Sequence, residues 1–283
     1  MKFVLGTAQL NHKYGINNKT KTNINNSLNI IRYAYKNKIK EIDTAPGYVN
    51  SQKIIGKIKK KFLISSKISG LLKIKKNNLE THISKQVHTI LNELSSNSLY
   101  GVYFHEPEIF KNKSKSLFAC RILNKFKKQN LLRKIGVSIY EPKILNNIFK
   151  IFKPDIVQFP LNIFDQRIID EGWLDYFSKN NIETQARSIF LQGLLLMKPK
   201  DLPKQFNTWK KNFSNFHLYC KKNKLTPHEV SLNFIRKYKV DKTIIGIENI
   251  DQLKMLINYK IKSISNPRYL KIDDLNLIDP RLW

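Results

Sequence analysis

Eight times along the chain a short run of β-branched residues is followed by a longer segment of helical period, and no other feature limits the fold as much. The strand runs are KFVLGTA, KEIDTA, FLISSKI, LYGVYFH, KIGVSIY, DIVQFPL, IETQARS and KTIIGI. Helices are expected between them, beginning near Asn26, Ser51, Leu79, Ser116, Pro142, Arg167 and Gln205, with an eighth from Ile250. The third is the clearest, because Leu79, Ile83, Val87, Ile90, Leu91 and Leu94 fall on one apolar stripe. Strands alternating with helices imply a parallel sheet, and eight such units at about 30 residues each match a (β/α)8 TIM barrel of about 250 residues. The spare length of the 283 residues fits a longer seventh connection, Met197 to Tyr238, and a tail ending NPRYLKIDDLNLIDPRLW. No linker rich in Pro, Gly or Ser divides the chain, so one domain over residues 1–283 is expected. A doubly wound sheet uses the same elements, but the ten glycines form neither GxGxxG nor GxxxxGK[ST]. Any nucleotide would bind without those loops.

Charge is the feature most apt to mislead. The 51 Lys+Arg against 21 Asp+Glu leave a formal net charge of +30, which suggests a polyanion as partner. The lysines run from Lys2 to Lys271 among abundant Asn and Ile, as a composition bias spread over every exposed face would place them. The densest run, Lys57 to Lys61, falls at an expected helix end, where cations suit the dipole. No specific nucleic-acid partner is therefore expected, whereas a positive surface does draw small anions, phosphorylated cofactors among them. No window reaches the ~20 apolar residues that span a bilayer, and the start MKFVLGTAQLN lacks a secretory pattern, so a cytoplasmic protein with no membrane partner is expected. Cys120 and Cys220 form no CxxC, and His12, His82, His88, His217 and His228 have no ligand spacing, so neither a disulfide framework nor a metal site is expected.

In a barrel of this kind the chemistry sits where strands end, at their C-terminal face. The second run closes with Asp43, five residues before Tyr48; the third with Lys67; the fourth with His105. Alone, each has an ordinary explanation: a helix cap, a packed ring, a snorkelling lysine, a structural histidine. Together they meet the needs of carbonyl reduction, which requires a hydride donor and a proton donor. A phenol with pKa ≈ 10 is a poor acid or base at neutral pH unless tuned. A neighbouring ammonium stabilises phenolate, and a carboxylate keeps that ammonium in place, so Asp43, Lys67 and Tyr48 can form a relay. His105 can then donate a hydrogen bond to the carbonyl oxygen.

With these residues in place, the chain resembles the aldo/keto reductase superfamily from end to end. The matches run in order: GTAQ, DTAPGY, the strand-three Lys, the strand-four His, GVS, QFPLN, RSIFLQG and IIGIENIDQL. The resemblance implies a (β/α)8 barrel binding NADPH or NADH in an extended pose. It implies a tetrad of Asp43, Tyr48, Lys67 and His105, with Tyr48 as general acid in reduction and base in oxidation. The N-terminal hairpin that closes the barrel floor in many members is expected to be absent or very short, because the opening strand begins at Lys2.

The same resemblance carries the cofactor residues over one at a time. Gly6 and Thr7 match the strand-one end near the nicotinamide, and Ser138 and Gln158 match positions that hold its carboxamide. Ile139 stands where many members have Asn, which removes one expected hydrogen bond. Arg187 stands where many place an aromatic ring on the nicotinamide; a guanidinium can stack there or reach a phosphate. Ser188, Phe190 and Gly193 fall in the stretch that wraps the pyrophosphate. Gly246, Glu248 and Gln252 fall at the adenosine end. Glu248 can accept from a ribose 2′-OH but repels a 2′-phosphate, which points toward NADH, or it merely complements a helix dipole. Met255 and Leu256 replace the Glu-Asn pair that commonly follows.

The reading is thus an NAD(P)H-dependent oxidoreductase acting on a small-molecule carbonyl or alcohol, with a sugar or sugar derivative suggested by family analogy. Specificity is expected from loops around Gln9 and Tyr14, around His105 to Pro107, and in the tail from Arg268 to Trp283; Trp173, Trp209 and Trp283 either pack or flank the substrate mouth. Two rivals are a nicotinamide-binding regulatory subunit without turnover and a metal-dependent barrel hydrolase using Asp43 and His105.

Overall fold

The computed structural model describes residues 1–10, 15–16 and 23–283. His12 and Tyr14 lie outside the described residues. Eight parallel strands close into a barrel in sequence order: β1 (Lys2–Gly6), β2 (Glu41–Asp43), β3 (Leu63–Ile68), β4 (Leu99–Phe104), β5 (Leu132–Ser138), β6 (Ile156–Pro160), β7 (Glu183–Arg187) and β8 (Lys242–Gly246). Every expected strand run forms its strand. The barrel closes where β1 pairs with β8 from Lys2↔Lys242 to Gly6↔Gly246, so β1 is a barrel strand from its first residue.

The helices are α1 (Ile24–Lys36), α2 (Ser51–Gly56), α3 (Leu79–Glu93), α4 (Lys113–Lys128), α5 (Leu145–Phe149), α6 (Arg167–Asp170), α7 (Trp173–Lys179), α8 (Lys210–Asn223), α9 (Pro227–Arg236), α10 (Ile250–Ile257) and α11 (Leu275–Ile278). The stripe on α3 is buried as its period predicts, with Leu79, Ile83, Val87 and Ile90 at 0% exposure. Each such side chain contributes roughly 1.5–3 kcal/mol of burial.

Several boundaries differ from expectation for local reasons. Asn112, not a residue near Ser116, caps α4 through its side chain, accepting from Lys115 N at 3.0 Å. Pro142 opens a 3-10 turn before α5. The sixth crossover splits into α6 and α7 at Gly172, whose φ of +72° breaks the helix. The seventh connection holds 3-10 turns, then α8 and α9; Thr226 starts α9 with a reciprocal capping box to Glu229.

The barrel interior is polar along its axis. At the floor, Lys242 Nζ lies 2.6 Å from Glu41 and 2.9 Å from Glu183, which also takes Lys134 Nζ at 2.5 Å. Higher up, Tyr103 Oη donates to Gln185 Oε1 at 2.8 Å. Paired charges at the N-terminal end brace the scaffold. They leave the opposite rim to carry chemistry.

Candidate active site

Strand register brings the rim residues together. Asp43 ends β2 opposite Ser65, and Gly6 lies beside both Asp43 and Gly246. His105 follows β4 directly, its amide donating to Ile68 O at 3.0 Å. Tyr48 sits in the turn between β2 and α2, where its own amide donates to Ala45 O (3.0 Å) and its carbonyl accepts from Ser51 N (2.9 Å). Ser51 Oγ donates to Thr7 O at 2.8 Å, and Thr7 Oγ1 donates to Asp43 O at 3.0 Å, so the turn is stitched to β1 and β2.

At the centre is a buried ion pair. Lys67 Nζ donates to Asp43 Oδ2 at 2.7 Å, to Oδ1 at 2.9 Å and to Thr44 O at 3.1 Å. An ammonium has three N–H groups, and all three have acceptors here. The lysine side chain is 2% exposed and the aspartate 5%, so neither charge is solvated by bulk water and each depends on the other. Tyr48 lies beside them, with Nζ 5.2 Å from its ring centroid, in reach of a cation–π attraction.

The Asp43–Lys67 half of the relay expected from sequence forms, and the link from Lys67 to Tyr48 is corrected. The ammonium touches the face of the phenol ring and commits its hydrogens to Asp43 and Thr44, so it does not hydrogen-bond the phenolic oxygen. Burial first, and then the charge of Asp43, push the Tyr48 phenol well above its usual pKa, with Arg187 opposing them. Tyr48 rests as a protonated donor, not as an acidified phenol. His105 moves the other way: burial, then the charges of Lys67 and Arg187, lower its pKa to about 4. Its imidazole is neutral at pH 7 and carries one N–H.

All four residues open onto one cavity of about 400 Å³ at the C-terminal rim, a size typical of small-molecule sites. Gly6, Thr7, Ser138, Gln158, Arg187, Ser188, Phe190, Gly193, Gly246, Glu248 and Gln252 line it as well. Every site residue read from sequence therefore falls on the same surface.

Their hydrogen bonds define what each can do. Gln158 Nε2 donates to Asp43 Oδ1 at 2.8 Å, and its Oε1 accepts from Ser138 Oγ at 3.1 Å, joining β5 and β6 to the central pair. Arg187 Nη2 donates to Ile139 O at 2.8 Å and Nη1 to Ser188 Oγ at 3.2 Å, with the guanidinium carbon 4.0 Å from the Tyr140 ring centroid. The following loop holds Ser188, Leu191, Gln192 and Gly193 at positive φ, from 48° to 92°. Left-handed backbone at non-glycine residues costs about 1–3 kcal/mol each and clusters at ligand clamps; turns of this kind also aim amide N–H groups at anions. Asn162 braces the loop, its Nδ2 donating to Ser188 O at 3.1 Å.

After β8, Gly246 leaves room for Gln9, since a Cβ there would come within 2.2 Å of the Gln9 amide. Glu248 precedes the cap of α10, which is Asn249, so it is not a first-turn carboxylate. It is bonded to Gln252 instead: its N donates to Oε1 at 2.8 Å, and its carboxylate accepts from Nε2 at 3.4 Å. Burial raises its pKa.

The profile of the Aldo/keto reductase family matches residues 2–276. The chain belongs to that family. Solved structures agree in fold. The glycerol dehydrogenase AKR11B4 from Gluconobacter oxydans is 20% identical, with a TM-score of 0.70, over 94% of this chain and 88% of that one. The aldo-keto reductase AKR11C1 from Bacillus halodurans, in its holo form, is 15% identical with a TM-score of 0.75, over 95% and 90% of the two chains. No curated protein sequence matches the chain.

In this aldo/keto reductase the cavity also has lining residues not expected from sequence, Tyr140 and His228 among them. Tyr140 lines the cavity; it closes the fifth strand run, and the rule that found Asp43, Lys67 and His105 reaches it as well. His228, stacked on Phe190 at 5.3 Å, comes from the start of α9, which only the tertiary fold brings to the rim. Trp173 packs on Phe149 and Phe177, and Trp283 on Phe206, away from the cavity; Trp209 bonds Asp274. Among the described residues no group of three or more His, Cys, Asp or Glu is gathered for a metal, and the hydrolase alternative loses Asp43, whose two oxygens are held by Lys67. Among the same residues, no helix is long and apolar enough to cross a membrane.

Proposed function

We propose that the chain is an NAD(P)H-dependent oxidoreductase that interconverts an aldehyde or ketone and the corresponding alcohol. One observation carries this reading: a protonated phenol and a neutral imidazole share a cavity with a buried ammonium–carboxylate pair and a strained loop.

Tyr48 holds the proton that the carbonyl oxygen takes up in reduction. Its raised pKa keeps it loaded at neutral pH, and the positive charge of Arg187 stabilises the phenolate left behind. In the oxidative direction the same phenolate is the base. His105, kept neutral by burial, donates its N–H to the carbonyl oxygen and orients it for protonation. Asp43 holds Lys67 in place beside the ring.

The residues fit a nicotinamide dinucleotide. Gly6, Thr7, Ser138 and Gln158 would hold the nicotinamide end, with Arg187 closing the strand-seven side. Ser188, Phe190 and Gly193 would hold the pyrophosphate, and Gly246, Glu248 and Gln252 the adenosine end. When bound, the reduced nicotinamide supplies a hydride. The Gln158 amide is committed to Asp43 and Ser138 in this structure, so it would exchange one of those partners for the carboxamide. Glu248 has no cation beside it among the described residues and offers an acceptor suited to a ribose 2′-OH, which favours NADH over NADPH. The substrate is a small carbonyl compound, a sugar derivative by family analogy alone.

Fluorescence titration of the purified protein with NADH and NADPH tests the cofactor reading, and single-turnover loss of NADH fluorescence with a panel of carbonyl compounds tests the chemistry. Binding followed by carbonyl-dependent oxidation of the nucleotide is expected. Binding without oxidation would favour a regulatory subunit, and absence of binding would refute the reading.

A further inference from the structure

Among the described residues, Arg187 is the cation lining the cavity that has no acid to neutralise it. Lys67 is paired with Asp43, and His105 is neutral. Asp165, whose proton affinity senses Arg187, is tied to Arg167 at 2.7 Å. No carboxylate among the described residues pairs with Arg187, and the remaining segments, 11–14 and 17–22, contain no Asp or Glu. Its protein partners are neutral: the Ile139 carbonyl, the Ser188 hydroxyl and the Tyr140 ring. A half-buried guanidinium without a counter-charge is costly to keep, and it is stabilised by whatever anion enters the cavity.

The side chain is also held in place. Arg281, from the tail, lies 4.2 Å from the same Tyr140 centroid, so two guanidinium groups pack on this one ring. Arg281 is itself fixed by Asp279 at 2.6 Å. Tyr140 is thus held by Arg281 as well as by Arg187. Five N–H donors less the two already committed leave three for a ligand. Arg187 ends β7 beside the β6 strand that carries Gln158, and its charge reaches both Tyr48 and His105, so it belongs with the reacting residues of the cavity.

We propose that Arg187 is a specificity-determining residue that binds a carboxylate on the substrate, making this a reductase of oxo acids or a dehydrogenase of hydroxy acids. The inference rests on the oxidoreductase reading above and names its substrate class. A single unpaired cation matches a singly charged carboxylate; a phosphate dianion would leave a charge unmatched at the site. The planar fork suits the two oxygens of a carboxylate.

The test compares pyruvate with methyl pyruvate, which differ in that one charge, as substrates for the wild type and for Arg187→Met. The wild type is expected to favour the acid in kcat/KM, and the variant to lose about 10- to 100-fold of that acid-over-ester ratio. An unchanged ratio, with a weakened NADH affinity, would assign Arg187 to the cofactor and overturn the proposal. So would a wild-type preference for glyceraldehyde 3-phosphate over both. Calorimetric titration with oxamate, a carboxylate that is not reduced, with and without NADH, reads the anion site independently of turnover. Oxamate heat that disappears in Arg187→Met supports the site even where no hydride transfer occurs, so the oxidoreductase reading can fail separately. Absence of oxamate binding to the wild type in both conditions overturns the carboxylate site.

Discussion

Acidification from about pH 7 to about pH 4 should expose the burial of His105 as a loss of stability. The imidazole has a pKa of about 4 in the folded chain against an ordinary 6.5, because burial and the charges of Lys67 and Arg187 oppose its protonation. Below 6.5 the unfolded chain takes up this proton and the folded chain does not, so folding becomes less favourable as pH falls and the effect levels off below about 4. At 1.36 kcal/mol for each tenfold change in proton affinity, the gap amounts to about 3 kcal/mol. Urea unfolding across this range, for the wild type and for His105→Gln, isolates the contribution, because glutamine keeps a hydrogen-bond donor and does not titrate. The wild type should lose about 3 kcal/mol more than the variant on acidification. Parallel curves for the two proteins would refute the assignment of a buried, neutral imidazole. The same geometry predicts that kcat/KM shows no inflection from His105 near pH 6.5, so that hydrogen bonding to the carbonyl persists through the neutral range.

Other outcomes follow from the same site. Tyr48→Phe should lower kcat by about 10²- to 10⁴-fold, the usual worth of a positioned general acid, while fluorescence titration shows NADH binding largely kept; a near-wild-type kcat would contradict the role of the phenol. Lys67→Met leaves Asp43 buried with Gln158 as its remaining side-chain donor, and should cost about 3–5 kcal/mol in urea unfolding. The double variant Asp43→Asn/Lys67→Met should recover most of that loss, and a double variant as unstable as the single one would show that the ion pair is not the cause. Glu248→Ser should raise the ratio of kcat/KM for NADPH over NADH, and an unchanged ratio would refute contact with the ribose.

The alternation of eight β-branched runs with helical segments was enough to specify a closed parallel barrel. Each run is too short and too apolar to stand alone and has to pair with its neighbours, while each helix buries one stripe against the sheet. The site was legible because this fold brings the ends of distant strands to one rim: Asp43, Lys67 and His105 could be found by reading where strands stop. What the sequence left undetermined was how the phenol sits against the Asp43–Lys67 pair, which itself forms as expected. Lys67 and Tyr48 are neighbours as expected, yet the ammonium gives its three hydrogens to Asp43 and Thr44, and burial reverses the expected direction of the phenol's pKa. Arg187 was visible as an oddity at the end of the seventh run. Its lack of a counter-charge, its place over Tyr140 and the contact of Arg281 with the same ring depend on residues 47 and 141 positions apart along the chain, counting from Tyr140. Periodicity is a local property and survives in the linear order of residues. Solvation, hydrogen-bond capacity and charge balance depend on which distant atoms share a small volume, and only the closed barrel decides that.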